Sequence, residues 1–67
     1  MYTALILEHA PNHDPRHIEA YMRLAHPTLD GLSREEFVEE VLACALAVDM
    51  DGPDTAAELA DVMGIPR

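Results

Sequence analysis

Ser33–Met50, SREEFVEEVLACALAVDM, is the stretch whose reading decides the fold. Ser33 followed three residues later by Glu36 is the signature of a reciprocal capping box, in which each side chain satisfies a backbone N–H that the first helical turn leaves free. Leu32 before the cap and Phe37 at the fourth helical position have the spacing of a hydrophobic staple. Glu35 and Glu36 sit against the positive end of the helix dipole. At about 100° per residue, Phe37, Val38, Val41, Cys44, Ala45 and Val48 project to one side as the expected buried centre. Leu42 and Leu46 widen the apolar arc to roughly 200°, which calls for neighbours on both flanks. The opposite face changes along its length. It carries Glu36, Glu39 and Glu40 first, then Ala43, Ala47 and Met50 with Leu46 at the edge. A helix end that is apolar all round is normally covered.

The rest of the chain is read as packing against this helix. Upstream, Asp14-Pro15 opens an amphipathic helix, with Asp14 as N-cap and Pro15 at the first position, where a missing N–H costs nothing. Ile18, Tyr21, Met22 and Ala25 form its stripe, Leu24 falls off that stripe, and Pro27 ends the helix at His26. Asp30-Gly31 is the expected tight point of the following turn. Downstream, Gly52-Pro53 stops the central helix, with Gly52 expected in a left-handed cap. A third helix is expected over 54–63, with Thr55 and Glu58 as a second capping box and Ala56, Leu59, Ala60 and Met63 buried. Gly64 ends it, and Ile65 can fold back onto its last turn. Met1–Ala10 mixes strand and helix formers over too short a run for periodicity to arbitrate, and is expected to be an extended or irregular arm. The expected architecture is therefore all-α: one domain, 1–67, built as a three-helix bundle with a central helix at 33–50.

Composition restricts function. The 67 residues carry 13 acidic and 4 basic side chains for a net charge of −9. Nucleic-acid binding needs a basic footprint and anionic membranes need polybasic segments, so neither partner is expected. No apolar run approaches the length of a membrane span, and no basic region precedes Leu5–Leu7 as in a signal peptide. The single cysteine, Cys44, excludes an internal disulfide and fits a reduced cytoplasmic setting as core filler. A chain of this size buries only about 60% of its unfolded surface, so small folds often lean on a metal or a partner subunit.

Three function classes follow. The first is a small acidic, non-enzymatic protein-interaction module acting as a homodimer, with an adaptor or inhibitor of a basic partner as one such role. Its partner-binding residues are Ala43, Leu46, Ala47 and Met50, with Leu24 and the acidic Glu36, Glu39 and Glu40. Ala43-x3-Ala47 would let two backbones approach closely. No nucleophile motif, phosphate loop or hydrolase signature is present, and no catalytic residue, cofactor or small-molecule substrate is expected. The second class is a metal-binding protein. His9, His13 and His17 have the spacing H-x3-H-x3-H, and a loop site with Glu8 or Asp14 could in principle take zinc or nickel, although Pro11 and Pro15 prevent one continuous helix through them. The third is a partial regulator. Thr55–Arg67, TAAELADVMGIPR, resembles the first helix and turn of a helix-turn-helix motif at Leu59, Ala60, Met63, Gly64 and Ile65. That family places a recognition helix next, in the major groove. Met63-Gly64-Ile65 is also similar to the loop of ubiquitin-associated domains.

Overall fold

The structure, a computed structural model, describes residues 2–67, and among them it contains four helices and no strand. They are α1 (Thr3–His9), α2 (Pro15–Ala25), α3 (Arg34–Asp51) and α4 (Pro53–Val62). The chain is all-α, but the expected N-terminal arm is a helix, so there are four helices rather than three; Met1 lies outside the described residues. α2 and α3 pack on each other, and each also touches α1 and α4, while α1 and α4 do not meet. Among the described residues no helix is long and apolar enough to cross a membrane.

Local chemistry sets most helix ends. Ser33 Oγ accepts from the Glu36 N–H at 3.1 Å, and Glu36 Oε1 accepts from the Ser33 N–H at 3.0 Å, completing the capping box of α3. Leu32 and Phe37 join the same core. Ser33→Ala removes this cap and is expected to cost about 1 kcal/mol, read as a lower midpoint in urea. Asp14 Oδ1 accepts from the Arg16 N–H and caps α2, with Pro15 in the first turn. Leu29 to Leu32 close the turn at Asp30-Gly31. Past α4, the Ile65 N–H reaches the Ala60 carbonyl and the Gly64 N–H reaches the Asp61 carbonyl, with Gly64 at φ 71°. These are the two bonds of a Schellman cap, and Ile65 buries its side chain beside Ala60.

The α3–α4 junction departs from expectation twice. Gly52 is not left-handed helical but at φ 92°, ψ 154°, and it serves both as the C-cap of α3 and the N-cap of α4. The helix that follows begins at Pro53, so Thr55 and Glu58 lie inside it and no side chain caps it.

The main core gathers Ile6, Ala10, Ile18, Met22, Leu29, Phe37, Val41, Cys44, Ala45, Val48 and Ala56. Tyr2 stacks on Phe37 with ring centroids 5.6 Å apart, which seats the start of α1 on α3. A smaller cluster of Ala20, Ala60 and Ile65 joins α2 to α4. Both alanines are fully buried, so two helix backbones come close with nothing larger between them. On α2 this corrects the expected stripe: Ala25 is exposed, and Ala20, on the α4 side, is buried. On α3 the arc is narrower than expected, because Leu42 and Leu46 are not covered by neighbouring helices.

Candidate protein-docking surface

The exposed side of α3 carries three aligned apolar side chains, whereas Leu7, Leu24 and Val62 are exposed singly on the other helices. Leu42, Leu46 and Met50 follow one another at i, i+4 and i+8 and are 51%, 66% and 86% exposed. Ala43 is exposed beside them and Ala47 is half-buried. The total surface is 4281 Å², close to the roughly 4200 Å² that size scaling gives for a folded monomer of this mass. The stripe is therefore exposed on a well-packed chain, not on a loosely packed one. Along one side of it, Leu42, Ala45 and Leu46 face the end of α1 at His9 and the loop at 10–13 across an open groove of about 380 Å³. His13 Nε2 closes the end of that groove against Asp49 Oδ1 at 2.9 Å.

The other sequence-derived partner residues are dispersed. Leu24 is exposed but lies on α2 and does not line the groove. Glu36 is committed to the capping box, and Glu40 is half-buried with Oε1 3.5 Å from His26 Nε2. Glu39 remains exposed and unpaired on the stripe's own line. Sequence reasoning missed the contribution of the 10–13 loop, since nothing in Pro11-Asn12-His13 signals that it will lie along α3.

The three histidines are not brought together. His13 binds Asp49, His17 lies 3.6 Å from Asp14, and His9 Nε2 and His13 Nδ1 are enclosed without a hydrogen-bond partner. Among the described residues no group of three or more His, Cys, Asp or Glu side chains converges as ligands for one metal ion. Cys44 is buried, and desolvation pushes its thiol up to about 11, the opposite of an activated nucleophile.

A second, wider groove of about 950 Å³ runs between α2 and the C-terminal tail and holds three of the four arginines. Its charges neutralise one another. Arg16 donates to Asp61 and, at 2.8 Å, to the Ile65 carbonyl; Arg23 pairs with Glu19; the Tyr2 hydroxyl donates to Asp30; and Arg67 pairs with Asp61. This wiring pins the Schellman turn to the start of α2. Ile65 after Gly64, one of the positions that carry the helix-turn-helix resemblance, is buried beside Ala20 and Ala60.

These pairs set the pH range of stability. The Arg16 guanidinium beside Asp61, and the Ser33 N–H on Glu36, hold both carboxyls below their ordinary values. Each therefore contributes stability above the unfolded carboxyl value of about 4 that is lost as pH falls through the lower folded one. At the other end, the Tyr21 hydroxyl donates to Asp51 at 2.6 Å, which with desolvation pushes its pKa up to about 12. Its contribution is complete below the unfolded value of about 10 and disappears as pH rises towards 12. Denaturation midpoints should fall on both flanks, and Tyr21→Phe should lessen the alkaline fall while leaving the acid one unchanged, the remainder coming from Cys44 and Tyr2, whose pKa values are also raised.

No family model, no curated protein and no solved structure matches this chain.

Proposed function

We propose that this chain is a small, non-enzymatic protein-interaction module that docks through the second half of α3 and self-associates there. The observation that carries the reading is the alignment of Leu42, Leu46 and Met50 on one helix face, whereas the other exposed large apolar side chains, Leu7, Leu24 and Val62, stand singly on three different helices. Ala43 and Ala47 beside them present little bulk to an approaching helix. The grooves are consistent with the non-enzymatic part: charged groups in the wide one are spent on each other, and in the narrow one, where Leu42, Ala45 and Leu46 face His9, Asn12, His13 and Asp49, the His13 imidazole is held on Asp49. We place the protein in the cytoplasm, where a lone buried thiol such as Cys44 stays reduced.

The test is sedimentation equilibrium over a wide concentration range, comparing wild type with Leu46→Glu. Wild type should show a reversible rise in mass that the variant lacks. Because Leu46 is 66% exposed, the variant's urea midpoint should correspond to a change within about 0.5 kcal/mol. A wild-type chain that stays monomeric at every concentration removes the self-association.

A further inference from the structure

The apolar stripe continues a line of charge. Glu35, Glu39, Leu42, Leu46 and Met50 are spaced i, i+4, i+7, i+11 and i+15 on α3, and all are exposed. At 1.5 Å per residue they run along one face for about 22 Å. Six carboxylates belong to α3, and four are held within the fold: Glu36 by Ser33, Glu40 by His26, Asp49 by His13 and Asp51 by Tyr21. Glu35 and Glu39 have no partner among the described residues, and these two share the line of the leucines.

We infer that this face takes a basic amphipathic helix, with leucine-like side chains over Leu42–Met50 and lysine or arginine over Glu35 and Glu39, in preference to a second copy of the chain. The inference rests on the reading of α3 as the docking face and adds the chemistry of the occupant. Apolar burial would be similar for either occupant, so charge decides. A second copy brings another net −9. Three of its four arginines are also committed: Arg16, Arg23 and Arg67 lie in the wide groove on carboxylates, which leaves Arg34, 3.8 Å from Glu8, to answer two glutamates. A basic helix instead satisfies the two free carboxylates, and opposite potentials raise its association rate.

Fluorescence anisotropy with a labelled synthetic helix provides the test. The probe is a peptide of about five turns with leucines at i, i+4 and i+8 and lysines preceding them; its control replaces each lysine with glutamate. The lysine peptide should bind saturably, weaken with added salt and displace any self-association, while the glutamate peptide should not bind. Glu35→Gln with Glu39→Gln should raise Kd about three- to tenfold, the range two exposed ion pairs supply. Leu46→Glu separates docking from simple attraction of opposite charges: it adds a negative charge yet should weaken binding, whereas Glu58→Gln on α4 should change little. Tighter binding to Leu46→Glu, or equal binding of both peptides, overturns the inference. If the chain self-associates through Leu46 and ignores the lysine peptide, the docking face stands and the basic occupant falls. If neither peptide nor second copy engages α3, the docking face falls with it.

Discussion

Ile6→Ala should remove about half of the stability of this protein. Ile6 is 0% exposed and is the one fully buried large side chain that α1 contributes to the core. Truncating such a residue costs about 2–5 kcal/mol, the lost transfer free energy plus the cavity left behind. A folded chain of this length has only about 3–10 kcal/mol to lose. The comparison that gives the result meaning is Leu7→Ala, the next residue on the same helix. Leu7 is 39% exposed, so its truncation forfeits part of a transfer term and leaves no closed cavity, for about 1 kcal/mol or less. Urea denaturation of the two variants should separate them by several-fold in effect. If both are mild, α1 is an appendage and the core closes without it; if both are severe, the register of α1 differs from the one described.

The same residue explains why α1 could not be read from the sequence. Helices shorter than about 12–15 residues are marginal in isolation, and α1 has seven residues. Its N-cap is Tyr2, in helical geometry with no side-chain cap, so the local signal that marks α3 is absent. α1 is helical because Ile6 and the Tyr2–Phe37 stack seat it on α3, a tertiary cause that a ten-residue window does not contain. α3 is the opposite case. Ser33 and Glu36 are three residues apart and satisfy each other, so its start is written locally. Which of its sides is covered is not. With apolar side chains around most of the second half, periodicity does not say where the neighbours lie, and Leu42 and Leu46 fell on the open side. Ala60 was expected in the buried stripe of the last helix and is buried, whereas Ala20 was missed for a related reason: alanine suits a surface helix and a close helix crossing equally well. The docking stripe was thus legible as an excess of apolar residues, whereas its groove, and the separation of free from paired glutamates, needed the fold.

Gly52→Ala should destabilise the protein by about 1–3 kcal/mol, although the added methyl touches nothing. A Cβ at Gly52 would meet no atom within 4 Å, so a steric argument predicts no effect. The backbone argues otherwise. At φ 92° and ψ 154° the residue occupies a region that only glycine adopts readily. It cannot relax without loss, because its N–H ends α3 on the Val48 carbonyl at 2.8 Å and its own carbonyl starts α4 from the Ala56 N–H at 3.2 Å. Rotating either dihedral to suit alanine moves one helix against the other, and with it the packing of Ala56 in the main core. Gly31→Ala isolates the cause. Gly31 also has open space for a Cβ, but its φ is not positive. There the reduced entropy of the unfolded chain should dominate, for a neutral result or a gain of about 0.4–1 kcal/mol. The same chemical change at two equally roomy positions is therefore expected to have opposite signs, and thermal denaturation of the pair decides between backbone strain and side-chain space. A neutral Gly52→Ala would mean that the α3–α4 junction bends freely, and the fixed angle between the two helices would then need another source.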